Sequence, residues 1–170
     1  GTAAAAGLAG AAVLKEPEPG YGRACWRGYR ELGAEVRWVL FGDAVGLDDP
    51  KDVARLVAAG EAGADLVLVS GRAPGWGSRL VTTVIRWGWG RRFNDLGQWR
   101  LVRREVLEKM NLADRAGGWA AEMQVRAVEL HASIVEITVG GARADHERGK
   151  TGGGWLGRGR RWATVLAMLA

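Results

Sequence analysis

An apolar and aromatic run at residues 36–41, interrupted by one arginine, opens directly into Gly42-Asp43-Ala44-Val45-Gly46-Leu47-Asp48-Asp49-Pro50. An aspartate at the mouth of a buried strand, followed by small residues and a second acidic pair, can present carboxylates to a cation. A divalent ion held there would bridge the carboxylates to a diphosphate and neutralise it as a leaving group. The same residues have a purely local account, in which Asp43 caps the strand turn and Asp49 caps the next helix, with Pro50 at its first position. Arg72 lies in a later polar loop and Arg79 opens the helix after it. A guanidinium grips phosphate oxygens in bidentate fashion, and it also sits comfortably in solvated loops. Cys25 stands alone in a helical pattern between Ala24 and Trp26, a small buried side chain rather than a nucleophile; one cysteine permits neither an internal disulfide nor a multi-cysteine zinc site. His131 and His146 lack the partners at helical spacing that zinc requires.

These residues have to be positioned by a core, and the composition supplies one. Of 170 residues, 48% are apolar and 25% charged, the values of a globular domain, and a net charge of +5 favours anionic partners such as nucleotides, lipid phosphates or membrane surfaces. No apolar run reaches the length of a membrane span, and residues 163–170 are too short for one. The opening residues lack the basic leader of a signal peptide, so a cytoplasmic location is expected. Nine tryptophans accompany the arginines, but they are scattered over every segment, so no nucleic-acid partner is expected.

Periodicity and breakers divide the chain into alternating elements. Helices are expected at 2–9, 21–32, 50–59, 79–87, 104–109 and 119–130, and strands at 11–14, 36–41, 65–70 and 133–139. Residues 94–100 read as a polar segment with an internal glycine, residues 140–159 as a flexible basic loop, and residues 160–170 as a C-terminal helix, basic at its start and apolar afterwards. The alternation argues a single α/β domain over 1–170 with a mostly parallel sheet, and ligands in such sheets bind at the carboxyl ends of the strands.

Five segments occur in a recurring order: Gly20-Tyr21-Gly22-Arg23-Ala24-Cys25, the turn from Phe41 to Pro50, Ala64-Asp65-Leu66-Val67-Leu68 running to Arg72, Asn94-Asp95-Leu96-Gly97-Gln98-Trp99-Arg100, and Gly118-Trp119 with Glu122-Met123-Gln124. In that order the chain resembles family 2 glycosyltransferases of the dolichyl-phosphate-mannose-synthase-like branch, over about residues 1–150. The Asp-Leu-Gly and Glu-Met-Gln segments are the most distinctive. The resemblance implies a GT-A-like (nucleotide-diphospho-sugar transferase) three-layer sandwich, and transfer of a hexose from a nucleotide-sugar to a polyprenyl, dolichyl-type phosphate. It implies a Mg2+ or Mn2+ ion on an aspartate pair that falls on Asp43 and position 45.

Position 45 is Val45, and Leu47 supplies no oxygen either, so the pair is broken. The resemblance places Arg72 at donor and acceptor phosphates, with Arg79 and Arg100 near the acceptor, and Arg143 and Lys150 in a basic acceptor loop. It gives Asp95 and Glu122 catalytic positions, Glu122 sharing a cleft with Trp119 one helical turn earlier. It also implies a first strand and acidic turn for the nucleotide base, which would precede Gly1; the chain is then an N-terminally truncated glycosyltransferase domain whose sheet exposes an unpaired edge. A catalytically inactive binding module of the same fold is the alternative that Val45 raises. Arg158, Arg160 and Arg161, with Trp162, Val165, Leu166 and Met168 on the closing helix, would provide a peripheral contact at the inner face of the cell membrane.

Overall fold

A computed structural model describes residues 2–43, 50–70, 75–97, 99–138 and 164–169. In chain order these form α1 (Thr2–Leu8), α2 (Tyr21–Arg30), β1 (Trp38–Asp43), α3 (Pro50–Glu61), β2 (Leu66–Ser70), α4 (Trp76–Trp89), β3 (Trp99–Arg103), α5 (Arg104–Met110), α6 (Trp119–Glu129), β4 (Ile134–Thr138) and β5 (Thr164–Leu169). Residues 11–14, expected as a short strand, form none; Val13 and Leu14 are exposed and no strand among the described residues pairs with them.

The sheet runs β4-β2-β3-β1-β5. Among the described residues only β2 and β4 pair in parallel, whereas β3 is antiparallel to both β1 and β2, and β5 is antiparallel to β1. The fold is therefore α/β with a mixed sheet, not a mostly parallel one. The reason is specific. The strands expected from their continuous apolar runs, β1, β2 and β4, do all point the same way. The two antiparallel strands come from stretches not expected as strands: β3 starts in the last two residues of the polar segment at 94–100 and runs through 101–103, where no element is expected, and β5 lies in the supposed C-terminal helix. A six-residue apolar stretch carries no period long enough to separate helix from strand, and pairing with the outer edge of β1 makes residues 164–169 a strand.

Alternation along the strands sends two sets of side chains to opposite faces. Trp38, Leu40, Val67, Val69, Trp99 and Leu101 pack with Leu56 of α3. On the other face Val39, Phe41, Leu66, Leu68 and Val102 meet Cys25 and Tyr29 of α2, Ile85 of α4, Leu107 and Met110 of α5, and Trp119, Met123 and Ala127 of α6. Phe41 meets the Trp119 ring edge-on at 6.0 Å, and Trp26 lies 5.8 Å from the same indole. Cys25 is fully buried, as its setting predicted.

Polar contacts tie α2 to α5 beneath this core. The Tyr29 hydroxyl donates to Glu108 Oε1 at 2.9 Å, Arg104 Nε donates to the same oxygen at 3.0 Å, and the Arg104 guanidinium lies 5.7 Å from the Tyr29 ring centre. The hydrogen bond from Arg104, and then that from Tyr29, hold the Glu108 carboxyl below the usual glutamate range. Its folded value lies below its unfolded one, so the pair contributes stability above the ordinary value that is lost as pH falls through the lowered one. Glu108 is half exposed and solvent screens the pair, so Glu108→Gln should cost less than about 1 kcal/mol at neutral pH. The deficit, read by thermal unfolding, should vanish in acid.

Candidate functional site

The carboxyl ends of β1, β2 and β4 share one edge of the sheet with the start of β3, and the polar side chains gather there. Arg100 is the centre of the group. It sits on the middle strand, opposite Phe41 of β1 and Leu68 of β2, and is only 2% exposed. A charge this deep requires acceptors. Two backbone carbonyls provide them: Nη2 donates to Leu96 O at 3.0 Å and to Gly97 O. Gly97 turns its carbonyl inward by adopting φ 73°, and a side chain there would press within 3.3 Å of Val69 O. Nε and Nη1 of Arg100 find no partner among the described residues. Unmatched donors on a buried guanidinium call for water or an anion.

The loop that supplies those carbonyls is held from two sides. Asp95 Oδ1 accepts from the Ser78 hydroxyl and from Leu96 N at 2.7 Å, while Leu96 N also donates to Ser78 Oγ at 3.1 Å. From α6, Gln124 Nε2 donates to Asp95 O at 3.0 Å and Leu96 O at 3.3 Å, so Gln124 and Arg100 share one carbonyl. Gln124 is fully buried and its Oε1 has no partner among the described residues. Beside this group, Glu136 Oε2 accepts from the Ser70 hydroxyl at 2.8 Å and from Asn94 N at 2.9 Å. On the opposite face of the sheet, the Trp99 indole lies across Gly42, where an added Cβ would fall 2.4 Å from the ring.

Of the residues singled out from the sequence, Asp95 and Arg100 are therefore brought together, and Asp43 ends β1 two residues beyond Phe41, the partner of Arg100. The side chain of Asp43 lies outside the described residues, as do Val45, Leu47, Arg72, Arg143 and Lys150. Arg79 is exposed in the first turn of α4, one residue after Ser78.

Glu122 is placed differently from its expected cleft position. Its carboxylate accepts from Ala113 N at 2.9 and 3.1 Å and from Asp114 N at 2.8 Å, closing the loop between α5 and α6. Trp119 is fully buried in the core, so the two share no cleft. The adjacent Gln124, two positions and more than half a turn around the helix from Glu122, is the residue that reaches Asp95. The Gly-Tyr-Gly segment also has a structural use: Gly22 N donates to Ala116 O and Arg23 N to Arg115 O, both at 2.9 Å, satisfying the first turn of α2 with backbone.

Ser78, Gln124 and Glu136 were missed as members of the group. Glu136 carried a signal, since a carboxylate inside the short apolar strand Ile134–Thr138 must meet donors across the sheet. Among the described residues no group of three or more histidines, cysteines or acids could hold a metal ion. With Val45 and Leu47 both hydrocarbon, the residues do not complete the expected carboxylate pair. A shallow hollow at the opposite end of β1 is lined by Arg37, Trp38, Arg103 and Arg104. There Arg103 is paired with Asp65 at 3.1 Å and Arg104 with Glu108 at 3.0 Å, so much of its charge is already matched.

No protein-family model matches the chain. It is 37% identical over 147 residues to a protein of Mycobacterium bovis named an uncharacterized glycosyltransferase, and to proteins so named in two strains of Mycobacterium tuberculosis. Each similarity covers 81% of this chain and 66% of the relative, so the chain spans just under two thirds of the length of the curated relatives it matches.

Gly42→Ala should destabilise the protein by about 1–3 kcal/mol in urea unfolding, because the ring above it has to move. Trp99→Leu in the same chain should recover part of that loss. Gln124→Leu should cost about 1–3 kcal/mol by leaving Asp95 O unmatched. It should also speed amide exchange at residues 95–97.

Proposed function

We infer that the chain belongs to the glycosyltransferases and forms part of an enzyme that moves a sugar from an activated donor to an acceptor. The observation that carries this reading is the 37% identity with proteins named as glycosyltransferases over 81% of the chain, a span long enough to include the Arg100 edge and most of the sheet. More finely, we take the fold as GT-A-like, the donor as a nucleotide-sugar and the acceptor as a polyprenyl phosphate, following the resemblance to the dolichyl-phosphate-mannose-synthase-like branch.

The chemistry of the carboxyl edge supports an anionic ligand. The buried guanidinium of Arg100 is held by neutral carbonyls rather than by a carboxylate among the described residues, and its Nε and Nη1 remain without a partner there. Fixed donors in a low-dielectric setting stabilise a developing diphosphate without having to reorganise. Arg72, Arg79, Arg143 and Lys150 would add charge for donor and acceptor phosphates. Asp95 retains Oδ2 with no partner among the described residues and would orient the acceptor. The residues present do not complete a metal site, because position 45 is a valine and gives Asp43 no carboxylate partner.

That same valine favours a second reading, a sugar-nucleotide-binding module without catalysis. Incubation with radiolabelled nucleotide-sugars and a short polyprenyl phosphate, with Mg2+ or Mn2+, separates the two. Transfer supports the enzyme, and a gain of transfer only in Val45→Asp supports the decayed module. Arg100→Met should weaken nucleotide-sugar binding about tenfold or more in calorimetry, with the circular dichroism unchanged. No binding of any nucleotide, nucleotide-sugar or lipid phosphate by the folded wild type would defeat both.

A further inference from the structure

Helix α4 carries its largest apolar side chains on the wrong side for a core. Trp76, Leu80, Val84 and Trp87 are 82%, 54%, 58% and 86% exposed. At 3.6 residues per turn these four fall within an arc of roughly 80°, while the buried Thr82 and Ile85 lie across the helix. The face turned to solvent is thus more hydrophobic than the face turned to the sheet. Singly exposed apolar residues are ordinary, but a contiguous stripe with a tryptophan near each end marks a surface that is covered by something.

The charges around the stripe identify what covers it. From residue 75 to residue 92 the chain holds Arg79, Arg86, Arg91 and Arg92 and no acid. Arg79 and Arg86 run beside the stripe on one flank, and both are exposed together with Arg91 and Arg92. None of the four makes an ion pair among the described residues. The nearby Trp89 is not part of the stripe, since its Nε1 donates to Glu129 Oε1 of α6 at 3.0 Å and Arg126 pairs with that glutamate at 2.9 Å. No described helix is long and apolar enough to cross a membrane. A 14-residue helix with this pattern lies along an interface, its tryptophans at headgroup depth and its arginines among lipid phosphates.

We propose that the outer face of α4 is a docking surface for an anionic lipid bilayer. This moves the membrane contact away from the C-terminal segment: residues 164–169 are a strand, and Arg158, Arg160, Arg161 and Trp162 lie outside the described residues. The proposal is independent of sugar transfer, because it concerns adsorption and not chemistry. It does bear on the site. Ser78, in the first turn of α4, holds Asp95, so a bilayer lying along this face comes up against the polar edge of the sheet.

The test is flotation of the full chain with vesicles of phosphatidylcholine alone or enriched in phosphatidylglycerol, at low and at high salt. Binding is expected only to the phosphatidylglycerol vesicles and should weaken as salt screens the arginines. Trp76→Ser with Trp87→Ser should weaken it about tenfold or more, with circular dichroism unchanged. Arg86→Gln with Arg92→Gln, both exposed and remote from the core, should weaken it about fivefold for each charge removed at low salt. These arginine variants keep the test decisive if the tryptophan variant misfolds. The proposal is overturned by the absence of salt-sensitive binding, or by variants that bind like wild type. It is equally overturned if wild type forms dimers in sedimentation that the tryptophan variant abolishes while lipid binding is nil; the stripe would then be covered by a second copy of the chain.

Discussion

A guanidinium on the middle strand of a sheet has nowhere to go but into the protein. Strands pair with β3 on both sides and helices cover both of its faces, so Arg100 keeps its charge only if backbone is bent to meet it. The loop before β3 does this, presenting the carbonyls of Leu96 and Gly97. Each further contact at this edge holds that loop still: the left-handed turn at Gly97, the Ser78 hydroxyl on Asp95, and the Gln124 amide on the same carbonyl that Arg100 uses. The compensation comes from backbone dipoles and, among the described residues, no carboxylate bonds to Arg100, so its Nε and Nη1 keep donors to offer. An anionic ligand would complete what the protein leaves partly unmatched.

How far the sequence discloses this depends on the range of the forces involved. Strands β1 and β2 are buried on both faces, which demands continuous apolar runs that can be read directly. Strand β3 is different. Its residues Trp99-Arg100-Leu101-Val102-Arg103 mix charge with bulk and carry no strand pattern, because the acceptors that let Arg100 be buried are created only by the fold. Strand β5 was legible as apolar but not as extended, since its conformation is dictated by an edge more than a hundred residues earlier in the chain. At the site, Asp95 and Arg100 were found through likeness of motif. Ser78, Gln124 and Glu136 escaped because a serine, a glutamine and a strand glutamate acquire meaning only from partners on other elements. The exchange of roles between Glu122 and Gln124 is of the same kind: which face of α6 meets the loop is decided by where Trp119 and Met123 bury themselves.

Helix α4 joins two regimes of the molecule. Its inner face buries Thr82 and Ile85 and packs the partly buried Val81 against the core, a modest anchor for fourteen residues. Its hold on the body is supplemented by polar links near each end, Ser78 to Asp95 and Trp89 to Glu129. A helix fastened in this way can keep a hydrophobic outer surface without collapsing onto the core, and movement at its first turn is felt directly by the Asp95 loop.

The strand order also has a bearing on the protein's birth at the ribosome. Strand β1 leaves the exit tunnel before either partner: its inner neighbour arrives some sixty residues later and its outer neighbour only with residues 164–169. Throughout that interval a segment as greasy as Trp-Val-Leu-Phe has both hydrogen-bonding edges open. Sheet assembly is then a late and non-local event, costly in loop-closure entropy, and the nascent chain needs shelter for β1 until its two partners have been made.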